Sequence, residues 1–375
     1  MKLRSLFLYC LMAMSVVACG SKGEGSDVPD KPDVEEPDED LIEGRTVEEI
    51  VAMMGVGWNL GNTFDVTSVD KNEWGNPKPT KALIDAVAKQ GFKTIRIPVT
   101  WDYNMKAKSP YTVEPLYMME VESIVKAALD NDMFVILNTH HEGGWLIPDY
   151  EHKDEGKRRL VALWKQIATR FKNYDQRLIF EMLNEPRVEG GENEWNGGTP
   201  EVRECVNEFY EAVLPAIRKT GGKNNERAVM ITPAAAACAP DGLNGLIIPD
   251  DDYMIISVHT YFPYNFSMDG NPATSTDKWG SESDKSAMKW ELTRVANACK
   301  ARGVPVVIGE WGSINRNGNT DARAAHAGYY AKTAVELGMI PVIWDDGGAY
   351  KLLNRANNIW LYSKIVDAIV EAIEE

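Results

Sequence analysis

Two glutamates, each closing an apolar run, set the chemistry to consider first: Glu185 in Leu183-Asn184-Glu185-Pro186-Arg187 and Glu310 in Val306-Val307-Ile308-Gly309-Glu310-Trp311. Glu185 alone has a plain reading as a turn residue before a Pro that stops a ladder. Glu310 follows a segment so apolar that an unused, unpartnered carboxylate there would be costly. Facing each other in a wet cleft, two carboxyls suit glycoside hydrolysis: one protonates the leaving oxygen while the other attacks or activates water. Their pKa values must then be pushed apart. Arg96, in Ile95-Arg96-Ile97-Pro98, would hold one of them ionised, and a more apolar setting would keep the other protonated. Tyr261 offers a hydroxyl to the nucleophile, and Asn184 can bond the sugar 2-hydroxyl, a contact that strengthens in the transition state.

His140, His141 and His259 together with carboxylates also admit a zinc or iron site. No short-range ligand pair such as His-x-His or His-x-x-x-His is present, and the two Glu have a metal-free task, so neither metal nor other cofactor is expected. His141 is as suited to bonding a neighbouring hydroxyl as to touching sugar. Trp344, beside Asp345 and Asp346, reads as a stacking floor for a pyranose ring or as a cap on a core. Trp58, Asn59 and Asn62, with Trp145, Trp195 and Trp279 in loops, would extend that floor into a groove.

These residues follow a pattern of elements. Eight short runs rich in Val and Ile lie at 56–60, 94–99, 134–138, 178–183, 228–232, 254–259, 305–310 and 340–344. Between them, 81–90, 120–131, 157–172, 202–220, 284–302 and 322–337 show helical spacing of apolar positions, and 361–373 supplies a last helix. Gly91, Gly221, Gly303 and Gly338 fall where helix ends call for positive φ. The runs are too continuously apolar for half-exposed strands, which predicts an α/β fold, a closed (β/α)8 TIM barrel. A doubly wound open sheet is the alternative, disfavoured because 55–61 lacks the glycine spacing of a phosphate loop. In such a barrel the reactive groups sit at the carboxyl ends of the strands, where Arg96, His140, His141, Asn184, Glu185, His259, Tyr261, Glu310 and Trp344 are read.

The 375 residues, 44% hydrophobic and 26% charged, describe an ordinary globular protein. A formal net charge of -16 argues against nucleic acid and anionic membrane surfaces as partners. Much of that charge belongs to residues 20–45, where ten acids stand against three bases and almost nothing is apolar, the composition of a tether. Residues 1–19 carry Lys2, Arg4 and an apolar run over 6–17, followed by Val16-Val17-Ala18-Cys19. That pattern reads as an export signal whose Cys19 becomes a lipid-carrying first residue, with a plain signal and a chance Cys as the alternative. Membrane contact is expected only through that anchor, at a bacterial outer membrane or cell surface. The single catalytic domain is expected over 46–375. Cys205, Cys238 and Cys299, odd in number and widely spaced, read as small buried hydrophobes.

Taken in order, Arg96, His140, Asn184-Glu185-Pro186, His259 with Tyr261, Gly309-Glu310 and Trp344 resemble glycoside hydrolase family five, retaining barrels of clan A. The likeness runs from about Val56 to Trp344. Gly57-Trp58-Asn59-Leu60-Gly61-Asn62-Thr63 and Val258-His259-Thr260-Tyr261-Phe262-Pro263-Tyr264-Asn265-Phe266 are similar to its endoglucanases, which include cellulases, xyloglucanases and mixed-linkage glucanases. The resemblance implies Glu185 as acid/base, Glu310 as nucleophile, retention of configuration, and a sugar subsite lined by Arg96, His140, Asn184, His259, Tyr261 and Trp344. Trp311 departs from the Phe of many relatives. The expected function is endo-cleavage of β-1,4-glucan by a monomer. Mannan or xylan hydrolysis, a noncatalytic glycan-binding lipoprotein and a metal-dependent barrel hydrolase remain as competitors.

Overall fold

The computed structural model describes residues 42–70 and 72–373. The expected signal, Cys19 and most of the tether lie outside them. Eight parallel strands close into one barrel in sequence order: β1 (Gly57–Asn59), β2 (Thr94–Ile97), β3 (Phe134–Asn138), β4 (Leu178–Glu181), β5 (Val229–Ile231), β6 (Met254–His259), β7 (Val306–Trp311) and β8 (Met339–Ile343), with β8 pairing back to β1. Each matches an expected run to within a few residues, with β7 reaching one residue past its run and β8 starting one before, so the closed barrel stands and the open sheet falls.

Helix α1 (Val47–Met53) precedes the barrel. Around it stand α2 (Lys81–Lys89), α3 (Pro115–Leu129), α4 (Lys153–Phe171), α5 (Pro200–Arg218), α6 (Pro240–Gly245), α7 (Tyr264–Ser267), α8 (Glu282–Lys300), α9 (Thr320–Glu336) and α10 (Ser363–Val370). Between β5 and β6 lie a 3-10 turn at Ala234–Ala236 and the six-residue α6. Gly91, Gly221, Gly303 and Gly338 adopt φ of 107°, 70°, 69° and 78°, as helix exits require. Among the described residues no helix is long and apolar enough to cross a membrane.

Helix α1 was not anticipated, although Thr46 and Glu49 form a capping box: Glu49 N donates to Thr46 Oγ1 at 3.3 Å and Thr46 N to Glu49 Oε2 at 2.9 Å. Its Val47, Ile50 and Val51 pack with Ile42 against Phe134, Ile340 and Val307, plugging the amino end of the barrel. Ile42 is buried with these residues, so the described packing includes residue 42, four residues before the expected boundary at 46. One isoleucine in an acidic stretch gives no periodicity, so sequence could not place it.

Side chains inside the barrel change character from bottom to top. Phe134, Ile136, Ile179, Met230, Ile255, Val307 and Val342 fill the lower layers with hydrocarbon. One strand repeat higher the inward positions are Asn59, Arg96, Asn138, Glu181 and Ser257, all fully buried. Strand alternation delivers this polar layer directly beneath the carboxyl rim.

Candidate active site

Arg96 is the hub of the polar layer. Its Nε donates to Glu181 Oε2 at 2.7 Å, Nη1 to Asn59 Oδ1 at 3.0 Å and Glu310 Oε1 at 2.9 Å, and Nη2 to Asn184 Oδ1 at 2.7 Å. Burial alone would lower its pKa, but the charges of Glu181 and Glu310 outweigh it and keep the guanidinium protonated. Glu181 in turn accepts from Ser257 Oγ at 2.7 Å and Asn138 Nδ2 at 2.9 Å. Buried charges are tolerable only when hydrogen-bonded this completely. Asn59, expected to touch sugar, is corrected to a support. It is fully buried, and its amide donates to Gly309 O at 2.9 Å and Val342 O at 3.1 Å, tying β1 to β7 and β8 below the rim.

The two glutamates meet as their types suggested. A carboxylate oxygen of Glu185, a ring nitrogen of His259 and a carboxylate oxygen of Glu310 all lie within 4.8 Å of one another. His259 Nδ1 is 2.7 Å from Glu185 Oε1 and 3.7 Å from Glu310 Oε2, while Tyr261 donates to Glu310 Oε2 at 2.9 Å. His259 is thus bonded to Glu185, and Glu310 to Tyr261, with the imidazole close to both carboxyls. Such close carboxyls match the retaining rather than the inverting geometry.

The shifts run opposite to the expected assignment, in which Arg96 depresses the nucleophile and an apolar setting raises the acid; what differs between the two carboxyls is the kind of partner. Burial lifts Glu310 above the usual carboxylate range, opposed by His259, Arg96 and the Tyr261 hydroxyl. Burial also lifts Glu185, but the His259 bond, its charge and that of Arg187 outweigh it and leave the group below its usual range. Burial would lower His259, and the two carboxylates more than reverse it. These groups titrate as one unit. Glu310 is held by a guanidinium that cannot give up its proton, whereas Glu185 is held by an imidazole that can. The 2.7 Å contact gives Glu185 a neighbour that can exchange a proton with it, while Glu310 faces the fixed charge of Arg96.

A bulge sets the aim of Glu310. The β6–β7 register shifts after Val258, pairing His259 with Glu310, and the β7–β8 register shifts between Ile308 and Trp311. Gly309 sits at this shift because a Cβ there would lie 2.8 Å from Ser257 Oγ and 3.1 Å from His259 Nε2. Behind the strand, Trp311 stacks on Tyr330 with centroids 4.2 Å apart and planes 1° apart.

His140 and Trp344 lie parallel, 3° between planes and 6.0 Å between centroids, giving the cleft one flat wall. Burial holds His140 well below its usual pKa and drops His141 to about 4, so both are neutral near pH 7. Gly61 makes room for Trp344, whose ring would lie 2.7 Å from a Cβ there. Asn62 takes φ 52° in the neighbouring turn, its backbone N–H donating to Asp65 Oδ2 at 2.8 Å. Its visible role is therefore in the turn. Asp65, which sequence reasoning passed over, is fully buried, and burial raises its pKa to about 6.

The expected aromatic floor is smaller than foreseen. Trp58 is fully buried, donating to Asp345 Oδ2 at 3.2 Å, and Trp145 and Trp279 are also buried, the last packed against His326 and Tyr329. Their large apolar surfaces went to packing. Trp195 is exposed, and Trp74, not foreseen, stands edge-on to His141 at 6.1 Å. Glu181 was missed too, a lone Glu three residues into an otherwise apolar run. Cys205, Cys238 and Cys299 are free and buried, as expected.

Comparison with known proteins agrees with this geometry. The sequence model of the family described as Cellulase (glycosyl hydrolase family 5) matches residues 55–349. Endoglucanase A of Clostridium longisporum is 46% identical over 343 residues, covering 87% of this chain and 66% of that one, so the chain spans about two-thirds of that relative. The structure of a GH5-4 broad specificity endoglucanase from the same species superposes with a TM-score of 0.85 at 43% identity, covering 88% of this chain and 99% of that one. A GH5-4 broad specificity endoglucanase from Ruminococcus champanellensis with bound cellotriose gives a TM-score of 0.83 at 36% identity, covering 87% and 98% of the two chains. Barrel, paired glutamates and sequence thus converge, and the chain belongs to the cellulases of glycosyl hydrolase family 5.

Proposed function

We propose that this hydrolase is a retaining endo-β-1,4-glucanase whose substrates are cell-wall glucans: cellulose, mixed-linkage glucan or xyloglucan. The observation that carries the reading is the approach of Glu185, just past β4, and Glu310, in β7, within 4.8 Å at one barrel rim, with His259 bonded to Glu185 and 3.7 Å from Glu310. Glu310, held by Arg96 and Tyr261, attacks the anomeric carbon while Glu185 gives its proton to the departing glycosidic oxygen. The glycosyl ester on Glu310 is then opened by a water that returns a proton to Glu185, so configuration is retained. Asn184, fixed by Arg96, presents its amide to the sugar 2-hydroxyl, and the His140–Trp344 wall bounds the ring. The relatives support the glucan: they are named endoglucanases, and one holds cellotriose.

The test is product release from carboxymethylcellulose, mixed-linkage glucan, xyloglucan, mannan and xylan, with Glu310→Ala and Glu185→Ala beside the wild type. Short oligosaccharides from glucans, lowered by orders of magnitude in both variants, are expected. A dinitrophenyl cellobioside, whose leaving group needs no acid, restores the first step in Glu185→Ala but not in Glu310→Ala. Equal rescue of both would exchange or abolish the roles. Release from mannan or xylan alone would reassign the substrate, and binding without release would make the chain a glycan-capture protein.

The N-terminal sequence supports a location for this activity: the charged start, the apolar run over 6–17 and Ala18-Cys19 suit export and lipid attachment at Cys19 of a bacterial surface protein, with residues 20–41 as tether.

A further inference from the structure

Between β8 and α10 the chain makes a small antiparallel hairpin of β9 (Leu353–Asn354) and β10 (Ile359–Trp360). A ladder this short is not stable by itself, and it is docked on the barrel: Trp360 meets Trp58 edge-on at 6.4 Å and Phe92 at 5.7 Å. Its turn carries Arg355, whose side chain is only 1% exposed. A guanidinium is costly to bury, so the groups that receive it show its task. Nη1 donates to Gly61 O at 2.6 Å and Thr63 Oγ1 at 2.8 Å, in the turn after β1. Nη2 donates to the carbonyl oxygen of Asp345, just past β8, and lies 3.3 Å from its Oδ1. Gly61 N adds a bond to Asp345 O at 3.2 Å. Trp344 lies against both of the bridged segments. Asp345 follows it in the chain, and the edge of its ring is so near Gly61 that a Cβ there would stand 2.7 Å from Cζ2 and Cη2.

We propose that Arg355 is a positioning residue for the Trp344 indole, and that the hairpin serves to fix the cleft wall beside which the sugar ring is held. The proposal rests on the glucanase reading. An indole turns about two side-chain bonds, so its plane stays put only if its surroundings do. The ring edge rests on Gly61 while its backbone continues into Asp345, and the separation of those two residues therefore sets its tilt. The two terminal nitrogens of a guanidinium are rigidly spaced in one plane, and here each takes one of the two carbonyls. A lysine ammonium, a single point of charge on a flexible stem, cannot set that separation. Nor does Asp345 depend on Arg355 to stay satisfied. Its carboxylate also accepts from Trp58 Nε1 at 3.2 Å, Gly347 N at 2.9 Å, and Leu352 N and Leu353 N at 3.0 Å each. Replacing Arg355 thus frees Gly61 from its carbonyl staple while Asp345 keeps four N–H partners, so the change falls on position before it falls on fold.

The experiment is a double-mutant cycle between Arg355→Met and Trp344→Ala, read as kcat/KM of the full chain on dinitrophenyl cellobioside. Each single variant is expected to lose at least ten-fold. The double variant is expected to stay within three-fold of Trp344→Ala, because a ring that is gone cannot be misplaced. A purely structural role would not produce that coupling: losses that multiply would show Arg355 acting without Trp344, and would overturn the proposal. Arg355→Lys keeps the charge and is expected to recover less than a third of the lost kcat/KM, whereas full recovery would overturn the two-carbonyl staple. If Arg355→Met does not fold, Arg355→Lys enters the cycle in its place, with a loss of at least three-fold expected that disappears in the Trp344→Ala background and the same multiplying outcome overturning the role. Wild-type kcat/KM in folded Arg355→Met, with the wild type active, overturns the role and leaves the glucanase reading intact. A wild type inert on the cellobioside defeats the glucanase reading itself, and the role with it.

Discussion

Arg96 touches four side chains with three nitrogens, and only one of those contacts is with a reacting group. Its orientation toward Glu310 is therefore fixed from below, by Glu181, whose own oxygens are pinned by Ser257 and Asn138. Neutralising Glu181 leaves a buried guanidinium short of its nearest counter-charge, a defect that costs about 3–5 kcal/mol when a buried pair is broken. Glu181→Gln is expected to lower the melting temperature clearly and to reduce kcat/KM on dinitrophenyl cellobioside at least ten-fold, because the freed Arg96 no longer holds Glu310 and Asn184 in register. Thermal denaturation and steady-state kinetics on one preparation check it, and unchanged kinetics in a folded variant would show that Asn59 and Asn184 suffice to orient Arg96. The residues that touch the reacting atoms were legible because their types are rare at strand ends: two Glu, an Arg, a His and a Tyr in apolar surroundings. Glu181, Asn138 and Ser257 were not, since each looks like an isolated polar residue in a strand until the barrel closes and brings their side chains together.

The eight runs and their helices were legible because each is amphipathic or apolar over several residues, a signal that survives local exceptions. Register was not. A single shift between β6 and β7 sets His259 opposite Glu310, and no spacing in either strand announces it. Gly309 is what that shift requires: a methyl there would press on Ser257 Oγ and His259 Nε2. Overpacking of this kind typically costs about 1–3 kcal/mol, and the ring it displaces bridges both carboxyls. Gly309→Ala is expected to keep the fold with a modest loss of melting temperature and to lose at least ten-fold in kcat, more than the stability change explains. A variant with wild-type kcat would show that β7 can bend around the extra methyl without moving His259. The loop tryptophans mark the opposite limit of sequence reading. Trp145, Trp195 and Trp279 look alike in a sequence, yet two are buried and one is exposed, because their neighbours in space, His326 for one and Arg187 for another, lie far away or unmarked along the chain.

Across the whole molecule the barrel has two ends with different tasks, a polar rim that reacts and a hydrocarbon foot that α1 closes. Ile42 belongs to that foot, next to the acidic tether and 5% exposed. Burying an isoleucine side chain is worth about 1.5–3 kcal/mol, and residues 43–45 lead directly into the Thr46 cap of α1, with Arg45 N bonded to Ile42 O at 3.1 Å. Two deletions that differ by four residues therefore separate tether from domain. Removing residues 1–41 is expected to give an enzyme with the melting temperature and kcat of the full chain, which should itself sediment with membranes and be released by detergent if Cys19 carries lipid. Removing residues 1–45 takes Ile42 from the plug, so its melting temperature should fall by several degrees, while kcat at 25 °C stays unchanged because the rim is built from strands that do not need α1 to hold their carboxyl ends. Calorimetry beside initial rates distinguishes the two. Equal melting temperatures would place the start of the folded unit at Thr46 after all, and a loss of kcat in the longer deletion would mean that the foot is mechanically coupled to the rim through the layers of Ile and Val between them.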